Sequence, residues 1–400
     1  MKSITQIITA ALLCCALSLH AESITIESGF GDPAAYKEIP KRDFVSGVLP
    51  DGWNDESSWN KANCVYTCEN EDGKTFLRIV CPPSERAKIQ FFHKLNEFAE
   101  RRAFRVTITA RSKTSAELKF FIQAMGTSRI YAAAGIRLEN DWKEYTETMA
   151  GGPSDSKNVG LIIHSPKPGM VEIASCKLEE MPLSEYVPKT SVPTPRTESK
   201  GWMERFERDK KKLSDLKPDF IIMGDSITQG WEGSREAWEK YIAPMNACQF
   251  GIAGDRVEHL LWRMKNSTLG KDFQPKLVAI LIGVNNLFSA DALDIAAGTR
   301  TLVNEIRSAS PQTKVLILGV FPVGEKADDV RRKLIQNVNA NYEKIADGKD
   351  VFFYNFGDAF LEPDGTIAKT TFPDFVHCSP KSYLFYGEKL SEKAKEILGK

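Results

Sequence analysis

Two patterns of apolar and polar residues divide the chain near residue 182. Before that point, short runs alternate polar and apolar residues with a period of two, and turns containing Asp and Gly separate them. The clearest of these runs are residues 105–110, 118–123, 142–146 and 170–174. Alternation of this kind predicts strands with one buried face, because successive side chains of a strand point to opposite faces of its sheet. We therefore expect an antiparallel β-sandwich over about residues 22–181.

Residues 182–200 have a different composition. Four prolines, at 182, 188, 193 and 195, stand among serines and threonines. Proline stiffens a chain and polar residues keep it solvated, so this stretch is predicted to be a stiff linker.

From residue 201 onward, unbroken apolar runs alternate with helical segments. The apolar runs are residues 220–223, 277–282, 315–318 and 351–354. Such runs are typical of parallel strands that are buried on both faces. Between the first two runs, Val257, Leu260, Leu261 and Met264 fall at i, i+3, i+4 and i+7, which is one face of a helix. Residues 201–400 are therefore predicted to form a three-layer α/β domain with a parallel sheet.

The helix containing these residues has a candidate cap at its start. Asp255 precedes the apolar positions and Glu258 follows three residues later, so we expect the pair to form a capping box. In an α/β domain of this kind, the functional site lies beyond the carboxyl ends of the strands. The residues just after each apolar run are therefore the first place to search for chemistry.

The first 21 residues have the layout of a signal peptide. Lys2 provides a positive start, residues 7–19 are almost wholly apolar, and Ala21 is a small residue at the expected cleavage point. The alternative is a membrane anchor, but the apolar run is short for a bilayer span of about 20 residues. We expect cleavage near Ala21, a secreted or periplasmic protein, and no stable membrane insertion.

The charge balance excludes one class of partner. Lys and Arg number 53, as do Asp and Glu, so the formal net charge is 53 − 53 = 0. Removal of Lys2 with the signal peptide leaves 52 − 53 = −1. A chain with no basic excess is not expected to bind nucleic acid.

Six cysteines remain beyond the predicted signal peptide. Four lie in the first half and two in the second: Cys64, Cys68, Cys81, Cys176, Cys248 and Cys378. An exported protein allows disulfides, and four cysteines allow three pairings, between which the sequence does not choose. Buried free thiols are the alternative. No cysteine–histidine cluster has the spacing of a zinc site, so we expect no metal.

Residues that can carry ester chemistry follow the predicted strands. Residues 224–228 read GDSIT after the first apolar run, and residues 283–286 read GVNN after the second. Between them, residues 251–255 read GIAGD, a glycine-rich turn into a helix. Near the chain end, residues 374–377 read DFVH. Because strands of a parallel sheet end at one edge, we expect these blocks to converge.

A serine hydroxyl becomes a nucleophile when a neighbouring base takes its proton. Ser226 follows a buried strand, and His377 has Asp374 three residues before it, close enough to orient the imidazole ring. We therefore predict Ser226 as nucleophile, His377 as base and Asp374 as its orienting partner. His259 lies off the apolar stripe of its helix and is interpreted as structural. Asp225 is interpreted as a residue that holds the turn.

The four blocks, in this order, resemble those of the SGNH (GDSL) hydrolases. Residues 250–255, with His259, Leu261, Trp262 and Arg263, are also similar to the catalytic subunits of the platelet-activating-factor acetylhydrolases and their bacterial relatives. The resemblance covers about residues 201–400. It implies a flavodoxin-like domain, a serine esterase or acylhydrolase activity, and no cofactor.

The resemblance also implies an oxyanion hole with three donors. These are the backbone N–H of Ser226, the backbone N–H of Gly254 and the side-chain amide of Asn285, with Asn286 as the rival for the third. Two positions depart from the family pattern. Val284 stands where many relatives have a small polar residue, and Val323 stands where relatives often have Arg.

Residues 22–181 resemble the jelly-roll carbohydrate-binding modules, although no fixed motif carries the likeness. Trp53, Trp59 and Trp142 are candidates for stacking on sugar rings, and the alternative is that they fill the sandwich core. Glycan binding by this region is therefore one expectation and a purely structural sandwich the other.

Three functions follow from the sequence. The first is an exported serine esterase that removes acyl groups, acetyl above all, from a carbohydrate. The second is a lipid acylhydrolase that acts on a phospholipid or lysophospholipid. The third is a glycan-binding protein with an inactive hydrolase domain, which the filled catalytic positions disfavour.

Overall fold

The computed structural model describes residues 23–399 apart from 41–42, 58–60, 62, 84–87, 115, 127–129 and 155. The predicted signal peptide and Trp59 therefore lie outside the described residues.

The strands are β1 Thr25–Glu27, β2 Tyr36–Glu38, β3 Val45–Pro50, β4 Trp53–Asp55, β5 Cys64–Glu71, β6 Lys74–Cys81, β7 Ile89–Leu95, β8 Arg102–Arg111, β9 Glu117–Ala124, β10 Ile130–Arg137, β11 Lys143–Gly151, β12 Val159–Ser165, β13 Gly169–Met181, β14 Phe220–Gly224, β15 Ala247–Gly251, β16 Leu277–Leu281, β17 Lys314–Leu318 and β18 Val351–Tyr354. The α-helices are α1 Lys200–Leu216, α2 Ser226–Gln229, α3 Arg235–Ala237, α4 Val257–Lys265, α5 Ala292–Ala309, α6 Val330–Glu343 and α7 Pro380–Leu398.

The N-terminal half consists of two sheets built largely from antiparallel strands. One sheet has the order β11-β8-β13-β6-β5-β3-β2, with β1 paired to β13, and the other has the order β10-β9-β12-β7-β4. Only β3 and β5 among the described pairs of this half are parallel. Leu118, Phe120 and Ile122 on β9 are fully buried between the sheets while the residues between them are partly exposed. The alternation of period two thus has its predicted cause, and the all-β region is confirmed.

The tryptophans predicted as sugar-stacking candidates have different environments. Trp53 is buried in the sandwich core, where its ring packs against Phe30 and Phe91. Trp142 is partly exposed, but the guanidinium of Arg111 lies 4.5 Å from its ring centroid. Trp53 therefore fills the core, as the alternative interpretation had it.

All six cysteines within the described residues are free thiols. Cys64 and Cys81 lie side by side on β5 and β6, which pair antiparallel. The hydrogen bond with the Cys81 thiol, together with burial, raises the pKa of the Cys64 thiol.

The C-terminal half has one parallel sheet of five strands. Its order is β15-β14-β16-β17-β18, so the second strand of the half lies outside the first. This is the flavodoxin-like order, and it confirms the predicted α/β class. The four predicted runs are strands β14, β16, β17 and β18, whereas β15 carries no unbroken apolar run. Gln249 interrupts it, and this buried amide is accommodated by accepting a hydrogen bond from the N–H of Gly251.

Helices cover both faces of the parallel sheet. Helices α1, α4, α5 and α6 pack on the face that carries Ile221 and Ile280, and α7 packs on the face that carries Ile222 and Ala279. None of the helices in the described part of the chain is long and apolar enough to cross a bilayer.

The predicted capping box at the start of α4 is wrong. Helix α4 begins at Val257, and its N-cap is Arg256, whose N–H donates to Nδ1 of His259 at 3.1 Å. Asp255 is fully buried and accepts from the side chain of Arg263 instead. A buried carboxylate needs a cation more than a helix N-terminus needs a cap, which explains the difference.

Residues 182–200 were predicted as a linker; the structure begins α1 at Lys200, and residues 182–199 are packed along the α/β half. Thr190 is only 3% exposed, and its hydroxyl donates to the backbone carbonyl of Asp294 on α5. The Tyr186 hydroxyl donates to the Asp294 carboxylate at 2.5 Å, and Arg101 from the sandwich pairs with both Asp291 and Asp294. These contacts join the two halves directly.

Candidate active site

The residues predicted to carry the chemistry meet at the carboxyl edge of the parallel sheet. Ser226 is the first residue of α2 and lies two residues after Gly224, the last residue of β14. Asp225 caps this short helix, since its Oδ1 accepts from the N–H of Ile227 at 3.0 Å. From α7, the hydroxyl of Tyr383 donates to the carbonyl of Ile227 at 2.6 Å. The turn that presents Ser226 is therefore held from both sides.

Ser226, His377 and Asp374 form one chain of hydrogen bonds. Oγ of Ser226 lies 2.8 Å from Nε2 of His377. Nδ1 of the same ring lies 2.6 Å from Oδ2 of Asp374. A hydroxyl, an imidazole and a carboxylate in this order can move a proton from the hydroxyl to the ring.

The loop that carries Asp374 holds its carboxylate toward His377. Oδ1 accepts from the backbone N–H of Val376 at 3.1 Å and from that of His377 at 2.8 Å, which leaves Oδ2 for the ring. Partial burial raises the pKa of Asp374, but the hydrogen bonds from the His377 backbone and ring outweigh it and lower the pKa below its usual value. Asp374 is therefore a carboxylate at neutral pH, as an orienting partner must be.

Two backbone donors are available beside Ser226. Gly254 has φ +75°, a left-handed conformation that favours glycine, in the turn between β15 and α4. Within the described part of the chain, neither the N–H of Ser226 nor that of Gly254 has an acceptor. Both are thus free to donate to a bound oxygen.

The two neighbouring asparagines are distinguished by their partners. Asn286 is buried, and its amide bridges the N–H of Val257 at 3.0 Å and the carboxylate of Glu258 at 2.9 Å. Asn285 is only partly buried, and its Nδ2 donates to the carbonyl of Asp255 at 2.9 Å. An amide nitrogen carries two hydrogens, so Asn285 keeps one for a ligand. Both polar atoms of the Asn286 amide are bonded to α4, and they hold the start of that helix against the loop after β16.

Two hydrogen bonds hold the backbone of Ala253 like a clamp. They belong to the site, and the sequence did not predict them. The N–H of Ala253 donates to Oε1 of Gln229 at 2.8 Å, and its carbonyl accepts from Nη1 of Arg196 at 3.0 Å. That carbonyl belongs to the same planar peptide group as the N–H of Gly254. The one sequence feature that could have indicated Gln229 is its position three residues after Ser226, and nothing in the sequence marked Arg196.

A buried ion pair ties the strand ends together beneath the clamp. Arg263 is fully buried and donates to Oδ2 of Asp255 at 2.7 Å, to the carbonyl of Phe250 at 3.0 Å and to that of Gly224 at 2.9 Å. The indole of Trp202 donates to the other oxygen of Asp255 at 2.6 Å. Breaking such a pair would leave a buried charge uncompensated, so Arg263 stays in place. Its bonds to Gly224 and Phe250 therefore hold the ends of β14 and β15 together.

Two titratable groups near the site do not join the hydrogen-bond chain. Burial raises the pKa of Asp225 to about 7, and the nearby Asp255 carboxylate acts in the same direction. Its Oδ2 is buried without a partner among the described residues. Burial lowers the pKa of His259 to about 3, helped by the charges of Arg196 and Arg256, so that ring is neutral and structural.

A small hollow lies beside Ser226. It has a volume of about 330 Å³ and is lined by Ser226, Gly230, Gly233, Ser234, His377, Cys378, Pro380 and Tyr383. Among the described residues, no group of three or more His, Cys, Asp or Glu side chains is placed to hold a metal ion. The hollow therefore places space for a small group beside the hydroxyl of Ser226 and the ring of His377.

Comparison with known proteins assigns the C-terminal half to a family. Residues 222–384 match the GDSL-like Lipase/Acylhydrolase family. Over 200 residues, the chain is 31% identical to platelet-activating factor acetylhydrolase IB subunit alpha2 of Homo sapiens, which covers 49% of this chain and 85% of that protein. It is also 31% identical, over 196 residues, to the alpha1 subunit of Mus musculus, covering 48% and 83%.

Solved structures give weaker likenesses. A GDSL-like lipase from Bacteroides thetaiotaomicron superposes with a TM-score of 0.39 and 20% identity, covering 47% of this chain and 98% of that one. A family two carbohydrate esterase from Clostridium thermocellum, in complex with cellohexaose, has a TM-score of 0.35 and 13% identity, covering 78% and 95%. With the match of residues 222–384 and the identity to the acetylhydrolase subunits, the chain belongs to the GDSL-like lipase/acylhydrolase family of ester hydrolases.

Proposed function

We propose that this protein is an exported serine esterase that removes acyl groups, acetyl above all, from a carbohydrate. The observation that carries the proposal is the hydrogen-bond chain from Ser226 through His377 to Asp374. In this mechanism Ser226 is the nucleophile, His377 the general base and Asp374 the residue that orients the ring. Export rests on the sequence of residues 1–21 alone.

The reaction takes place in two stages. Nε2 of His377 takes the proton of Ser226 as Oγ attacks the ester carbonyl, and the negative oxygen of the tetrahedral intermediate accepts from Ser226 N–H, Gly254 N–H and Asn285 Nδ2. His377 then gives its proton to the leaving alcohol oxygen, which leaves an acyl-serine. Water, deprotonated by the same ring, attacks the acyl-serine, and the acid and free Ser226 are released.

The size of the hollow supports a short acyl group. Two glycines and Ser234 line it, and Tyr383 is anchored beside it by its hydrogen bond to Ile227. Large side chains at Gly230 are excluded, since a Cβ there would lie 2.0 Å from the Tyr383 hydroxyl. The similar proteins named as acetylhydrolases also support acetyl as the group removed.

A second candidate concerns the alcohol part of the ester. The 31% identity to platelet-activating factor acetylhydrolase subunits favours a lipid alcohol. A carbohydrate is favoured by the mixed polar and aromatic cleft between the two halves, described below. A lipid chain requires a continuous apolar surface, whereas a sugar requires a few apolar faces among hydrogen-bonding groups.

The test compares substrates and one substitution. The protein lacking residues 1–21 is assayed on p-nitrophenyl acetate, butyrate and octanoate, on acetylated sugars, and on an acetylated glycerophosphocholine. We expect hydrolysis that is fastest with acetyl and that is greater on sugars than on the lipid. Ser226→Ala is expected to lower kcat by roughly 10⁴-fold or more.

The matched control is Ser214→Ala, which removes the hydroxyl of a partly exposed serine on α1 that donates to Asp272. It is expected to keep the wild-type rate. Activity that survives Ser226→Ala contradicts the assigned nucleophile. Preference for the lipid over every sugar supports the second candidate instead.

A further inference from the structure

A cavity of about 480 Å³ lies between the two halves of the molecule. Its walls come from the outer face of the sandwich sheet that contains β9 and β10, from the packed segment 182–199, and from the loops of the α/β half. Cavities of this size hold small organic ligands and commonly occur between domains. Lys119, Phe121, Arg256 and Phe288 all line it.

The sandwich wall is set by the pairing of β9 with β10. Phe121 lies opposite Ala133, and Lys119 lies opposite Gly135. Because Leu118, Phe120 and Ile122 point into the core, Lys119 and Phe121 point outward. The small partners on β10 leave the Phe121 ring and the Lys119 ammonium accessible from the cavity.

The opposite wall continues the oxyanion-hole loops. Arg256 comes two residues after Gly254, and Phe288 comes three residues after Asn285. Consecutive Cα atoms are about 3.8 Å apart, so the Cα of Arg256 lies at most about 8 Å from that of Gly254, and the Cα of Phe288 at most about 11 Å from that of Asn285. Phe288 is 74% exposed, which is unusual for a phenylalanine.

The lining combines aromatic rings with charges of both signs. Lys119, Arg137, Lys189 and Arg256 are cationic, while Glu117, Glu258 and Asp294 are anionic. Several are already paired, as Lys119 is with Glu117 and Lys189 with Glu147. A near-balanced set of charges does not select a polyanion, and charges on both walls do not suit a lipid chain. Two aromatic rings with hydrogen-bonding neighbours do suit neutral sugar units.

The cavity is preformed by the contacts that join the halves. Arg101 pairs with Asp291 and Asp294, and the Tyr186 hydroxyl donates to the same Asp294. A partly buried network of this kind limits rotation of one half against the other, so the two walls keep their separation. A ligand therefore binds without the free-energy cost of ordering the site.

We propose that this interdomain cavity is a binding subsite for the sugar units next to the esterified one, with Phe121 and Lys119 from the sandwich on one wall and Phe288 and Arg256 on the other. The sandwich thereby extends the active-site groove and is not a separate module on a tether. This inference rests on the proposed function, since the ligand is the carbohydrate whose ester Ser226 cleaves.

The test measures how kcat/KM depends on chain length. The full mature protein is assayed on acetylated oligomers of xylose, glucose and mannose with one to six sugar units. We expect kcat/KM to rise about tenfold between one unit and four, the effect of one good aromatic contact. In Phe288→Ala and in Phe121→Ala this rise is expected to disappear, and in Lys119→Ala to shrink. Because the ratio is taken within each variant, a general loss of rate cancels.

Phe44→Ala is the matched control, since Phe44 is an exposed phenylalanine of the sandwich that does not line the cavity. It is expected to keep the full rise with chain length. If acetylated monosaccharides are cleaved but no sugar series shows the rise, or if the rise survives in both phenylalanine variants, the subsite is disproved and the proposed function stands. If no acetylated sugar is cleaved at all, the proposed function fails, and the inference fails with it.

Discussion

The guanidinium of Arg196 donates a hydrogen bond to the carbonyl of Ala253 at 3.0 Å, and that carbonyl shares its peptide group with the N–H of Gly254. The C=O and N–H of a trans peptide point in opposite directions. Anchoring the carbonyl on Arg196 therefore aims the N–H of Gly254 away from Arg196, as an oxyanion donor requires. A residue of the segment between the two halves thus orients part of the candidate active site.

The first prediction concerns this contact. Arg196→Ala is expected to lower kcat on p-nitrophenyl acetate about tenfold with little change in KM, since removing a donor outright costs 10²–10³-fold and here the donor is only less well held. Arg196→Lys should recover part of the loss because the ammonium still reaches a carbonyl. Arg235→Ala, which removes an exposed arginine paired with Glu239, is the control. A fall in Tm with kcat unchanged would show a merely structural contact.

The second prediction concerns the orienting carboxylate. Asp374→Asn keeps Oδ1 as acceptor for the N–H groups of Val376 and His377, so the loop should hold its shape. The amide, however, no longer fixes the tautomer of the ring, and we expect kcat to fall roughly 10²–10⁴-fold.

The control for this substitution is Asp364→Asn. Asp364 is an exposed aspartate whose Oδ1 also accepts from a backbone N–H, that of Thr366. It is expected to leave kcat unchanged. Wild-type kcat in Asp374→Asn, measured with saturating substrate, contradicts a role for Asp374.

The third prediction concerns stability and pH. Burial raises the pKa of Asp225 to about 7, above the value of about 3.9 expected in the unfolded chain. A group with a raised folded-state pKa contributes its full stability below the unfolded pKa, and this contribution is lost as pH rises through the folded pKa. Asp225→Asn mimics the protonated acid, so its Tm relative to wild type should increase between pH 5 and pH 8.

Thermal unfolding at those two pH values tests this difference. Asp364→Asn is again the control, because hydrogen bonds from Thr366 lower the pKa of Asp364 and its titration lies below the window. The Tm of this variant relative to wild type should therefore stay constant. An equal difference for Asp225→Asn at both pH values would mean that its carboxyl is not protonated in the folded protein at pH 5.

The fourth prediction concerns the segment between the halves. A fragment of residues 182–400 keeps Tyr186, Thr190 and Arg196 on the α/β half, whereas a fragment of 201–400 loses them. We expect the longer fragment to retain kcat on p-nitrophenyl acetate, and the shorter one to show a lower Tm and lower kcat. Thr190 is buried against α5, where its backbone lies so close to Gly298 that a Cβ there would clash. Equal Tm and kcat for the two fragments would show that the segment is a simple tether.

Much of the fold was predictable because its signals are local. A period of two along 105–110 and unbroken apolar runs such as 220–223 report which faces of a strand are buried, and burial is what defines these strands. Strand β15 escaped prediction because Gln249 replaces an apolar residue, and its buried amide is satisfied only by contacts made after folding.

The sequence by itself determined the two halves, the family, and the identity of Ser226, Asp374 and His377 as candidates, because each depends on residue type and spacing within short segments. Only the tertiary structure decided that Asn286 is buried with its amide bonded to Val257 and Glu258, and that the partly exposed Asn285 is the one that can offer an amide hydrogen to a ligand. Only it brought Arg196 to Ala253, 57 residues away, and the outer face of β9 to the loop that carries Phe288. The physical reason is that such contacts depend on how whole layers pack, and side chains distant in sequence leave no periodic trace of their meeting.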